Sequence, residues 1–131
     1  MRILDTDTCI EILRGNAVVI DRGAAVDDDV ATTWINAAEL HYGAAKSIAP
    51  RDNHALVDRF LDTLRLIGLD RGSARVFGDT KALLQRAGVG IADADLFIGC
   101  AALAHGATVV TGNTRHFERI PGIALEDWIR G

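Results

Sequence analysis

Five polar residues stand where short apolar segments give way to other structure: Asp5 after Arg2-Ile3-Leu4, Glu39 soon after Val30–Thr33, Asp93 and Asp95 ahead of Leu96–His105, and Asn113 just beyond Ala107–Thr111. If those segments are parallel strands, all five project toward one edge of a sheet. Three or four carboxylates gathered there without basic partners would repel one another and raise their own pKa values unless a divalent cation held them. An all-oxygen set suits Mg²⁺ or Mn²⁺, and a cation so held can activate water against a phosphodiester. Each acid also has an ordinary structural role open to it. Asn36-x-x-Glu39 is a capping-box pattern, Asp93 can cap a helix with Asp95 in its first turn, and Asp7 or Thr8 can cap the helix after Asp5. The inference therefore rests on the constellation.

Other chemistries find no footing. His41, His54, His105 and His116 show no nucleophile or base spacing, Ser47 and Ser73 lie in no GxSxG context, and neither GxxxxGK[ST] nor GxGxxG occurs. Cys9 and Cys100 sit among apolar neighbours with no CxxC, which reads as reduced and structural. Trp34 and Trp128 read as packing residues. A net charge of −4 argues against a protein that coats nucleic acid by neutralising many phosphates, though a nuclease that carries its own acids remains compatible with it.

The elements that would position these residues alternate. Arg2–Leu4 reads as a strand feeding a helix from Thr6 to a stop at Gly15, and residues 16–29 read as one short helix and a solvated acidic loop. Val30–Thr33 reads as a strand, with Asn36 capping the next helix. Leu56, Val57, Phe60, Leu61 and Leu64 repeat at helical spacing from Asn53 onward. Ile67–Leu69 reads as a strand, Ser73 as the cap of a helix ending at Gly88, and Asp93–His105 as an apolar helix stopped by Gly106. Ala107–Thr111 is the clearest strand, and Ile123–Trp128 a short closing segment. With 131 residues, 49% hydrophobic and 24% charged, and no linker or repeat, this is one domain spanning 1–131. The expected fold class is a three-layer α/β/α domain with a mostly parallel central sheet and its site at the strands' carboxyl ends. The longest apolar run, Leu96–Ala104, is too short to span a membrane, and acids occupy the place of a secretory signal, so a cytoplasmic protein without a membrane partner is expected.

Three stretches carry a family resemblance. RILDTDTCIEILRG resembles the strand–helix start of PIN-domain proteins of the VapC toxin family, INAAELHYGAAKS is similar to their second motif, and IADADLFIGCAALAHGATVVTGNTRHFERIPGIALEDW resembles their carboxyl-terminal block. The motifs follow one another in the family's order and bracket nearly the whole chain. The resemblance implies a PIN-like fold and a metal-dependent endoribonuclease, the toxin of a type II toxin–antitoxin pair, which cleaves tRNA or other structured RNA and so inhibits translation and growth. It implies a VapB-type antitoxin, a homodimer and Mg²⁺ or Mn²⁺.

Residue by residue, Asp5, Glu39 and Asp95 match the family acids, while Thr6 and Thr111 match supporting hydroxyls. Asp7 stands where the family often has asparagine. Asn113 replaces a fourth aspartate, which implies one firmly held ion, and Asp93 is an extra acid able to supply an oxygen ligand. Arg115, His116 and Arg119 lie just beyond and are candidates for holding RNA. Two other readings compete. Asp5-Thr6-Asp7 imitates the DxD pair of haloacid-dehalogenase-like phosphohydrolases, although Cys9 departs from that pattern. A non-catalytic RNA- or protein-binding module would have no use for the acids, which repel phosphate unless a metal intervenes.

Overall fold

A computed structural model describes residues 1–131. Its centre is a five-stranded sheet in which every pairing is parallel, in the order β3-β2-β1-β4-β5. The strands are β1 (Arg2–Leu4), β2 (Val30–Thr33), β3 (Arg65–Ile67), β4 (Thr108–Val110) and β5 (Ala124–Glu126). Parallel neighbours need crossovers, and helices supply them: α1 (Thr6–Leu13) and α2 (Ala17–Ala25), α3 (Trp34–Ala45) and α4 (Pro50–Leu61), α5 (Arg71–Arg86) and α6 (Asp93–His105), and the single turn α7 (Thr114–Phe117).

Alternation along the central strands divides the core in two. Ile3 and Val109 face a cluster with Leu84, Leu96, Ile98, Phe117 and Ile120 of the α5–α7 side. Leu4 and Val110 face one with Cys9, Val19, Leu40, Val57 and Trp128 on the α1–α4 side. β1 and β4, covered on both faces, are apolar throughout their buried positions, as central parallel strands must be. No helix is long and apolar enough to cross a membrane.

From β1 the chain moves outward through β2 to β3, then returns to the far side of β1 for β4 and β5. The direction of winding therefore reverses between β1 and β4, and the crevice of such a sheet opens at the carboxyl ends of those two strands. Asp5 is the lone residue between β1 and α1, and Thr111 is the first residue after β4.

Local expectations fail where a neighbour sets the boundary. Thr33, not Asn36, caps α3, and Asn36 is the third helical residue, closing a capping box with Thr33. Glu39 consequently lies in the second turn of the helix and takes no part in capping. Asp70, not Ser73, caps α5, and Asp5 itself caps α1. Ala92 holds the capping position of α6, so Asp93 and Asp95 occupy its first turn. β3 lies two residues earlier than expected, and α4 starts at Pro50 and ends at Leu61, because the chain must turn to place Arg65 beside Ala31. Trp34 is 58% exposed, contrary to its expected packing role, whereas Trp128 is buried.

Candidate active site

Asp5 is 6% exposed and wholly engaged by neutral donors. Its Oδ1 accepts from the Thr6 amide at 2.8 Å and from Asn36 Nδ2 at 3.1 Å, and its Oδ2 accepts from Thr111 Oγ1 at 2.8 Å. Asn36 Nδ2 also donates to Thr6 Oγ1 at 3.0 Å, and that hydroxyl donates to Glu39 Oε1 at 2.6 Å. One connected network thus joins the end of β1, the start of α1, the first two turns of α3 and the end of β4.

Burial pushes the Asp5 carboxyl up to about 6, with Asp7 and Asp95 adding to the rise, against the hydrogen bonds from Thr111 and Thr6 that favour its charged form. None of Asp5, Asp7 and Glu39 has an ion-pair partner. Asp95 meets only His116, whose Nδ1 lies 3.6 Å from Asp95 Oδ2. Asp5, Glu39 and Asp95 have no lysine or arginine within ion-pair distance, while Asp7 shares Gly112 with Arg130.

The remaining sequence candidates divide. Asp93 is drawn aside by Lys81 of α5, with Nζ 3.0 Å from Oδ1, and contributes nothing to the cluster as it stands. The Asn113 amide donates to Thr111 Oγ1 at 3.0 Å, which fixes the hydroxyl that serves Asp5. Arg119 donates to the Gly90 carbonyl at 2.7 Å and is committed to the loop before α6, while Arg115 is exposed on α7. Asp7 faces backbone donors, the Thr8 amide at 2.7 Å and the Gly112 amide at 2.9 Å. His41 and His54 meet at 2.8 Å between Nδ1 atoms, away from this network.

Two residues escaped the sequence reading. Asn36, fully buried, is the link between Asp5 and Thr6. The available signal was Thr33-x-x-Asn36, a cap and its third-position partner directly after a strand. Gly112 is the other, and its contacts come from both ends of the chain.

No three His, Cys, Asp or Glu side chains are drawn close enough to surround an ion as they stand. The donor set nevertheless fits one in kind. It is all oxygen, Asp5, Glu39 and Asp95 have no lysine or arginine partner, and burial raises the carboxyl of its most buried member, with Asp7 and Asp95 adding to the rise. Glu39 is exposed and Asp95 only partly buried, so neither side chain is locked in the core.

The family model for the PIN domain matches residues 2–123. The chain is 39% identical over 127 residues to the tRNA(fMet)-specific endonuclease VapC of Salmonella typhimurium, covering 96% of each protein. To ribonuclease VapC2 of Rickettsia felis it is 32% identical over 129 residues, again covering 96% of each. The crystal structure of DNA-bound VapBC from Salmonella typhimurium contains a chain that superposes with a TM-score of 0.90 at 38% identity, over 97% of both chains. The matched span takes in Asp5, Glu39 and Asp95, and the chain belongs to the PIN-domain family, among its VapC ribonucleases.

Proposed function

We propose that this chain is the endoribonuclease toxin of a toxin–antitoxin pair and that it hydrolyses RNA phosphodiesters with Mg²⁺ or Mn²⁺. The observation that carries the reading is a buried, neutral-donor-bound Asp5 at the switch point between β1 and β4, beside Asp95 and linked through Thr6 to Glu39, with no basic residue to balance them. Asp5, Glu39 and Asp95 would hold the ion. When bound, such an ion offsets charge developing on the phosphate and acidifies the attacking water.

The chain's own residues do the rest. Thr111, Thr6 and Asn36 fix both oxygens of Asp5, so its geometry is set before substrate arrives. Glu39 is exposed, with Oε2 not engaged by Thr6, and can receive a proton from the attacking water there. His116 and Arg115, exposed on α7, contact phosphates flanking the scissile bond. Asn113 lacks the charge for a second firm ion, so one ion binds tightly in the RNA-free protein.

The phosphohydrolase alternative is not favoured, because the matched family and relatives are PIN-domain ribonucleases.

The substrate is a structured RNA, with initiator tRNA the first to test because a relative of 39% identity is named for it. The antitoxin lies in the groove of about 300 Å³ between α1, α3 and α4, which is lined by Ile10, Leu13, Leu40 and Leu56 and reaches Glu39. A second copy covers the apolar hollow of about 120 Å³ beside exposed Trp34 and Leu69. Expression in bacteria with mapping of RNA 5′ ends tests this. Growth arrest with discrete tRNA cuts, relieved by co-expressing the neighbouring gene product, supports the reading, and unimpaired growth with intact RNA refutes it.

A further inference from the structure

Gly112 lies between two side chains of opposite charge. Its amide donates to Asp7 Oδ2 at 2.9 Å, and its carbonyl accepts from Arg130 Nη1. A methyl group there would fall 2.8 Å from Arg130 Nη1, 2.9 Å from Asp7 Oδ2 and 3.1 Å from Ile129 Cδ1, so only glycine lets all three close in. Glycine is also the residue least able to hold a conformation by itself, and here the two peptide groups that meet at it are each held by a charge-assisted bond.

Both arms of this clamp are anchored. Asp7 Oδ1 accepts from the Thr8 amide at 2.7 Å within α1. Arg130 is held by Asp127, whose Oδ1 accepts from the Ile129 and Arg130 amides at 2.8 and 2.9 Å. The neighbours of Gly112 are the working ones: Thr111 Oγ1 donates to Asp5, and the Asn113 amide donates to Thr111 Oγ1. A rotation of either peptide at Gly112 would move both.

We infer that Asp7 and Arg130 are positioning residues that clamp the two peptide groups of Gly112 so that Thr111 stays hydrogen-bonded to Asp5, and that Asp7 is not an ion ligand. This rests on the nuclease reading for its consequence in catalysis but not for the clamp itself. Asp7→Asn keeps an acceptor oxygen for the Gly112 amide, whereas Asp7→Ala and Arg130→Ala each remove one arm.

The test combines initial-rate cleavage with amide hydrogen exchange at Gly112 and Asn113 in the ion-free protein, each variant first checked for an unchanged melting transition. Asp7→Ala and Arg130→Ala should each lower kcat roughly tenfold with little change in KM, the equivalent of one charge-assisted hydrogen bond. Both should speed exchange at Gly112 or Asn113. Asp7→Asn should restore kcat to within about threefold of wild type, since a neutral bond replaces a charged one. The double variant should lose no more than the worse single one, because both arms hold one loop.

An ion-ligand role for Asp7 predicts the opposite pattern: Asp7→Asn as damaging as Asp7→Ala, weaker metal binding in both, and an indifferent Arg130→Ala. That pattern, or exchange unchanged in both alanine variants, overturns the clamp. Wild-type protein that cuts no RNA while the exchange pattern holds would refute the nuclease reading and leave the clamp standing.

Discussion

With its carboxyl raised from 3.8 to about 6 by burial and by Asp7 and Asp95, Asp5 opposes folding of the ion-free protein whenever it is charged. Below 3.8 it is protonated in both states and carries no penalty. Between 3.8 and about 6 the folded state keeps a proton that the unfolded state has lost, so stability falls as pH rises, and above 6 the penalty is complete. Two pKa units correspond to roughly 3 kcal/mol. Asp5→Asn removes that penalty, and its amide can face Thr111 Oγ1, whose hydroxyl turns to accept. We expect Asp5→Asn to melt several degrees above wild type in EDTA near pH 7.5, the gap closing by about pH 4, while cleavage is lost. Equal melting at pH 7.5 would remove the account of Asp5.

Asn36→Ala takes a donor from both Asp5 and Thr6. Cleavage should fall about 10- to 100-fold, as for loss of a ligand's supporting partner, and unchanged initial rates would argue that the network is idle. Asp5 and Asp95 were legible in sequence because they stand at a strand end and in the first turn of a helix, and Glu39 because it follows a strand within two helical turns, all local facts. Asn36 and Arg130 were not, because their importance comes from partners 31 and 18 residues away.

At the scale of elements, α6 shows what spacing reveals and what it conceals. Its limits were readable from the acids at one end and Gly106 at the other, where φ is +62°. Gly99 lies inside its apolar run. A methyl group on Gly99 would land on Ile120 Cδ1 and come within 3.2 Å of Ile123 Cδ1, so this glycine is where the segment after α7 presses against α6. Gly99→Val should destabilise the protein by about 1–3 kcal/mol through overpacking, measured by urea unfolding, and an unaltered midpoint would contradict that packing. β3 was misplaced because its burial runs exposed, intermediate, buried, with no alternation to read. Its register comes from pairing with β2. α7 went unseen because one turn has no periodicity.

The whole molecule places reaction and control on adjoining surfaces. The sheet's reversal between β1 and β4 collects the acids, while the groove between α1, α3 and α4 ends at Glu39. Alternating strands and helices were enough to name the fold class from sequence; the strand order, and hence which strand ends share a crevice, came only from the pairing itself. Leu56, 39% exposed, lines that groove from α4, which carries none of the site's acids. Leu56→Asp should therefore leave RNA cleavage near wild type and weaken neutralisation by the antitoxin at least tenfold in a titration, the loss of one buried apolar anchor. Equal neutralisation would move the antitoxin elsewhere.

The central claim is that converging carboxylates without a basic partner perform ion-dependent RNA hydrolysis. Its most direct test is cleavage of a tRNA pool by purified protein in Mg²⁺, in EDTA, and in EDTA followed by excess Mg²⁺, with Asp95→Asn run in parallel at matched folding. The account predicts cutting in the first and third conditions, none in the second, and none by Asp95→Asn. Cutting that persists in EDTA, or an Asp95→Asn protein as active as wild type, would contradict it.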